Sequence, residues 1–457
     1  MISRNINHKA ASRFFDDYAI AYDFQQKQYL LFNSVAGDIW YILSDMKTHT
    51  TCDIVERLLH IYDIDSNLLR KDVDDFLNHL ERKELIKIKQ KNIISETAMQ
   101  PPPFQDIESV IVDKYRKNNA LFSFTFELTY KCNEHCVHCY ANYHHGTSKC
   151  QYLNLKICAN LIHQLKSMGC AHLIFTGGDP FMFAGFVELL NIATQDDFSF
   201  DIYTNGQFLA THEELAAVIH DLNIKSYYIS LYGPDSKTHD SITQVSGSFG
   251  KTIKTIKKLK ELGDLVVVNI MVLSLNVSKI EETVELVRRL GVSYRIGFSI
   301  IAKNDGDASP DQYFVRNEVA ITNLYKKTKE QIMAMGDAIS TVENQLDWQE
   351  DYMCGAGISS MSIAPNGIVY PCISLKRPLG SIISESIQRI WNGEERMKLR
   401  NQLKMINFKE CISCGFFKYC PHCPGISMQE KADMFSCNSC DSFLGKIFSQ
   451  AEKETLS

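Results

Sequence analysis

The feature that most restricts this chain is the placement of its cysteines. Of 15 in 457 residues, one lies in the first hundred, six between 132 and 170, and eight between 354 and 440. The opening MISRNINHKAASRFFDDYAIAYDF has neither the apolar stretch nor the small-residue cleavage site of a secretion signal, so the chain is expected to stay in the cytoplasm. Thiols stay reduced there, which points the clusters toward metal binding or catalysis and away from a disulfide framework. No apolar run approaches the ~20 residues that span a bilayer, so no membrane partner is expected. A net charge of -6 argues against nucleic acid.

The hydrophobic pattern divides the chain. Two β-like runs, AIAYDF and QYLLF, precede apolar positions at helical spacing, with Leu69, Val73, Phe76, Leu77 and Leu80 on one face. Residues 12–95 therefore read as a small α+β domain, winged-helix-like, with a hairpin and about three helices. Residues 96–118, with Pro101, Pro102 and Pro103, read as a linker. Over 119–345 the runs LFSFTFEL, AHLIFT, SFDIYTNG, SYYISLY, LVVVNIMVL and SYRIGFSI alternate with helical segments. Six β/α units predict an α/β fold, a partial (β/α)6 barrel working at the strand C-termini. Residues 346–457 are loop-rich and cysteine-rich.

The segment LTYKCNEHCVHCYAN sets Cys132, Cys136 and Cys139 in a CxxxCxxC pattern just after the first barrel strand. Three thiolates on a short loop can hold three irons of a 4Fe-4S cluster and leave the fourth open. Zinc is the alternative, but a structural zinc site wants four ligands. The pattern resembles the radical S-adenosylmethionine (SAM) superfamily. That resemblance implies that the open iron chelates the cofactor's methionine, and that Thr176, Gly177, Gly178 and Asp179 match the GGE-type motif facing its amino group. Asp179 departs from the family's usual Glu. It also implies roles near the cofactor for Thr204, Asn205 and Gly206, for Ser230 in the fourth strand, and for His138 against adenine.

The segments CGAGISSMSIAPNGIVYPC and CISCGFFKYCPHC supply Cys354, Gly367, Cys372, Cys411, Cys414, Cys420 and Cys423, and Cys437 and Cys440 follow. With Trp391 and Asn392, they resemble the SPASM extension of peptide-modifying radical enzymes; zinc ribbons are the alternative for the CxxC pairs. The resemblance implies an outer auxiliary cluster on Cys411, Cys414, Cys420 and either Cys437 or Cys440. It implies an inner one on Cys354, Cys372 and Cys423, making three 4Fe-4S clusters in all. Cys52, Cys150, Cys158 and Cys170 are expected to be ordinary residues.

The run LLFNSVAGDIWYIL, with Trp40, is similar to the small chaperone of pyrroloquinoline quinone biosynthesis, which implies recognition of a precursor's leader peptide. FELTYKCNEHCVHCY and MCGAG resemble the subtilosin-type sactipeptide maturases, implying thioether formation between Cys sulfur and an α-carbon, with a flavodoxin or ferredoxin as electron donor. Carbon–carbon crosslinking of a peptide, a metal-binding adaptor and a DNA-binding regulator are the alternatives.

Overall fold

The computed structural model describes residues 4–6, 10–15, 18–25, 27–44, 49–62, 64–83, 85–88, 107–141, 152–333 and 349–456. The proline triplet at 101–103, Cys150 and the end of the helical stretch expected to reach 345 lie outside them. The chain forms two compact units, residues 1–118 with the short segment 197–199, and the remainder from 119.

In the first unit, β1 (Arg4–Ile6) is followed by β2 (Ala10–Phe14), β3 (Tyr18–Asp23) and β4 (Gln28–Asn33), the last three forming an antiparallel sheet in that order. The hairpin β3–β4 is the expected one. Strand β2 was not anticipated: AASRF has no β-branched residue and takes its strand form from pairing Ala11 with Tyr22 and Phe14 with Ala19. Asn33 ends β4 and caps the helix Ser34–Leu43, its side-chain oxygen accepting from the Ala36 N–H at 2.9 Å. Thr50 and Asp53 form a reciprocal capping box on the helix Thr51–Leu59. The helix Ser66–Arg82 buries Leu69, Val73, Leu77 and Leu80, with Phe76 partly buried against the same core. β5 (Ile86–Ile88) returns to pair antiparallel with β1. Trp40 sits fully buried at the centre, stacked on Phe32 at 5.1 Å and donating through Nε1 to Ser12 Oγ at 3.0 Å. Residues 107–117 of the expected linker form a helix.

In the second unit, β6 (Ser123–Glu127), β7 (His172–Thr176), β8 (Ser199–Thr204), β9 (Ile224–Ser230), β10 (Val266–Met271) and β11 (Ser293–Gly297) make a sheet in sequence order. The mapped pairs are parallel, and helices such as Leu155–Ser167, Ser248–Glu261 and Ile280–Leu290 connect the strands. The sheet does not stop at β6. β12 (Ser360–Ile363) pairs parallel to its free edge, Ser360 with Ser123 and Ile363 with Phe126, and β13 (Ile368–Tyr370) and β14 (Gly380–Ser381) continue antiparallel. The cysteine-rich region is thus an extension of the barrel sheet. Trp391 fastens it further, donating through Nε1 to the Asn119 carbonyl at 3.1 Å while the buried Arg396 lies 4.1 Å over its ring. Among the described residues no helix is long and apolar enough to cross a membrane.

Leu77 is fully buried in the first unit. Leu77→Ala is expected to cost about 2 to 5 kcal/mol, measured as a lowered denaturation midpoint.

Candidate active site

β6 ends at Glu127, and the thiol triad lies on the loop that follows it. Backbone bonds fix that loop. The Leu128 N–H donates to the Thr176 carbonyl (3.0 Å), and on the far side of the turn Gly178 and Asp179 donate to the carbonyls of Thr129 (2.8 Å) and Lys131 (3.0 Å). Within the loop, His135 and Val137 donate to the carbonyls of Thr243 and Ile242, and Cys139 to that of Cys136.

The two glycines of the TGGD turn are required by this packing. Gly177 has φ +134°, and a Cβ there would stand 2.5 Å from the Thr129 carbonyl oxygen. At Gly178 a Cβ would stand 2.1 Å from the carbonyl oxygen of Lys131. The turn presses directly on the residues that lead into Cys132.

Asp179 is fully buried and its carboxylate is committed. Oδ1 accepts from the Phe181 N–H (3.0 Å), and Oδ2 accepts from Thr204 Oγ1 (2.6 Å) and the Asn205 N–H (3.0 Å). It ties the ends of β7 and β8 together. Asn205, from the end of β8, reaches the triad itself: its Nδ2 donates to Asn133 Oδ1 at 2.6 Å and lies 3.7 Å from Cys132 Sγ. Thr176 and Ser230 are the terminal residues of β7 and β9. His138 packs edge-on against Tyr232, 4.9 Å between centroids. Burial pushes the His138 pKa down to about 4, so its ring is neutral.

Sequence reasoning passed over Glu134, which lies inside the motif at a position its spacing does not specify. Its side chain is buried, with Oε2 accepting from Cys136 Sγ at 3.4 Å, while its N–H donates to Cys132 Sγ at 3.4 Å. Burial pushes the Glu134 pKa up to about 8 and that of Cys132 up to about 12. An iron–sulfur cluster supplies the positive charge that lets such buried sulfurs exist as thiolates. The donor set therefore fits one. Among the described residues, no group of three His, Cys, Asp or Glu side chains is drawn close enough to hold a metal ion.

The eight later cysteines separate into places. A cavity of about 270 Å³ is lined by Cys411, Cys414, Cys420 and Cys437, with Glu410 and Phe416. Cys440 does not line it; it is buried where the Ile300 backbone N–H faces its sulfur. Cys354 and Cys372 flank the β12–β13 hairpin, and Cys423 is close enough to both for their charges to add to the rise that burial gives its pKa. Cys158 and Cys170 are buried core residues, and Cys52 is exposed.

Two outcomes follow. Gly178→Ala should displace the triad loop and lower bound iron by about four atoms per chain, measured by metal analysis after anaerobic reconstitution. His239 is fully buried, with Nδ1 accepting from the Tyr232 N–H at 3.1 Å, and burial holds its pKa at about 4. A folded pKa below the unfolded value of about 6.5 means that its contribution is complete above pH ~6.5 and is lost as pH falls toward 4. Unfolding free energies from urea titrations at pH 7 and pH 5 should differ by about 2 kcal/mol less in His239→Gln than in the parent.

Three family descriptions match the chain: "Radical SAM superfamily" over residues 126–287, "Iron-sulfur cluster-binding domain" (SPASM) over 354–424, and "Coenzyme PQQ synthesis protein D (PqqD)" over 19–86. The mycofactocin maturase MftC of Mycolicibacterium smegmatis is 25% identical over 339 residues, covering 71% of this chain and 82% of its own. The subtilosin biosynthesis protein AlbA of Bacillus subtilis is 27% identical over 317 residues, covering 65% and 66%. The structure of Streptococcus suis SuiB bound to its precursor peptide SuiA aligns with a TM-score of 0.61 at 16% identity, covering 96% of this chain and 99% of that one. With the small leading unit, the barrel and the cysteine-rich extension each matched in order, this chain carries a PqqD-like domain, a radical SAM domain and a SPASM domain.

Proposed function

We propose that the chain installs thioether crosslinks between a cysteine sulfur and a backbone carbon of a ribosomally made precursor peptide. The observation that carries this reading is the pairing of β12 on β6, which builds the Cys354–Cys372 segment and the triad loop onto one sheet. A reaction that needs a radical source and a nearby electron acceptor is served by that arrangement. The PqqD-like unit supports a peptide substrate, as do the likenesses to a subtilosin biosynthesis protein and to SuiB with its peptide. A leader bound at a sheet edge through backbone hydrogen bonds would raise the effective concentration of the core peptide.

In this reading Cys132, Cys136 and Cys139 would hold the reactive 4Fe-4S cluster that works with SAM. Cys354, Cys372 and Cys423 hold the inner auxiliary cluster; Cys411, Cys414, Cys420 and Cys437 hold the outer one. When bound, the cluster and SAM together would supply one-electron radical chemistry able to take a hydrogen atom from carbon. The protein's own part is positional. The TGGD turn and Asp179 hold the loop and the ends of β7 and β8, Asn205 braces Cys132, and Tyr232 and His138 wall the loop. Crosslinking takes a hydrogen atom from carbon, a proton from sulfur and one electron from the peptide, and an auxiliary cluster, when bound, would supply a place for that electron. A flavodoxin or ferredoxin supplies the reducing electron.

The likeness to a mycofactocin maturase supports a second reading, another oxidation of a peptide such as a carbon–carbon crosslink. Mass spectrometry separates them. Reconstituted enzyme given a cysteine-bearing precursor peptide should remove two hydrogens per crosslink and leave those thiols closed to alkylation. An unchanged mass contradicts both readings, and lost hydrogens with free thiols favour the second. Cys132→Ala should abolish both SAM cleavage and crosslinking, whereas Cys440→Ala should retain the parent's iron content.

A further inference from the structure

Glu127, the last residue of β6, is fully buried, and a buried carboxylate requires a partner. Its partner comes from 249 residues away: Lys376 Nζ donates to Glu127 Oε2 at 2.9 Å, with the lysine side chain 19% exposed. The Tyr140 hydroxyl donates to Oε1 at 3.3 Å. Tyr140 directly follows Cys139 of the triad, and Lys376 lies four residues after Cys372. The Leu375 N–H donates to Cys372 Sγ at 3.3 Å, and the Lys376 ammonium lies 5.1 Å from the centre of the Tyr370 ring. One ion pair therefore touches both the radical loop and the inner thiol segment. The groups that face Lys376 are Glu127, Tyr370 and Cys372; those around Glu127 are Lys376, Tyr130, Tyr140, Tyr370 and Cys372.

A buried ion pair is seldom the most stabilising way to fill such a place. What it does supply is fixed charge in a low-dielectric setting, where charge acts strongly on a neighbouring redox centre. A cation stabilises the reduced, more negative form of a cluster, and an N–H to a ligating sulfur acts in the same sense.

We propose that Lys376 is the positioning residue that raises the reduction potential of the cluster on Cys354, Cys372 and Cys423, and that Glu127 holds its charge in place. That cluster is then the acceptor of the electron left on the peptide: the peptide loses one electron, the cluster gains it, the hydrogen atom has passed to the 5'-deoxyadenosyl radical, and the thiol proton goes to solvent. The proposal rests on the reading that these three cysteines hold a cluster.

Redox titration of the reconstituted full chain, followed by electron paramagnetic resonance, tests it without substrate. Lys376→Met should lower the potential of one cluster by about tenfold in its reduction equilibrium constant, 59 mV for one electron. Glu127→Gln should raise the same potential, Lys376→Arg should leave it near the parent's, and the outer cluster on Cys411, Cys414, Cys420 and Cys437 should not move. Mere loosening of the fold would shift the methionine and glutamine variants in the same direction, and that result overturns the proposal, as does the absence of any shift. If Lys376→Met fails to assemble the cluster, the rise in Glu127→Gln and the parent-like value of Lys376→Arg decide it. A parent protein whose iron and sulfide show no cluster on these cysteines contradicts the underlying reading as well; a cluster that is present but insensitive contradicts only the role of Lys376.

Discussion

Strand β6 is paired on both edges, and the active region depends on that. β7 on one side brings the TGGD turn against the residues before Cys132, and β12 on the other carries the segment between Cys354 and Cys372. Each pairing is a ladder of main-chain hydrogen bonds with fixed register, so the two cysteine regions cannot drift apart without breaking the sheet. Glu127 ends this doubly paired strand and extends the same bridge through its side chain to Lys376.

Close approach does the next part of the work. The turn after β7 comes so near the triad loop that neither of its glycines has room for a β-carbon. Asp179 then spends its carboxylate on the ends of β7 and β8. The shorter acid suits that bracing task, since its oxygens reach the backbone two residues away as well as Thr204 across the sheet. The motif's departure from the family's usual glutamate coincides with a side chain turned inward to hold the strand ends.

Much of this was legible in the sequence for a physical reason. Parallel strands covered on both faces must be apolar throughout, and LVVVNIMVL and AHLIFT carry that mark. The triad could be singled out because its three cysteines sit on one short loop. Strands β12 to β14 were harder to read: two to four residues long and partly polar, they owe their form to the free edge of β6. The Glu127–Lys376 pair left no local trace, because its halves are joined only by the fold. Cys437 and Cys440 were indistinguishable by spacing, and the difference between them is one of position: Cys437 lines the cavity with three other thiols, while Cys440 faces the backbone near Ile300.

The central claim is that the triad holds a cluster with one iron open to SAM. Electron paramagnetic resonance of the reduced holoenzyme, recorded with and without SAM, addresses it most directly. The account predicts that SAM alters the signal of one cluster, that a variant lacking Cys372 and Cys411 keeps this response, and that Cys132→Ala loses it. A reduced spectrum unchanged by SAM, or a response that survives Cys132→Ala, would contradict the account.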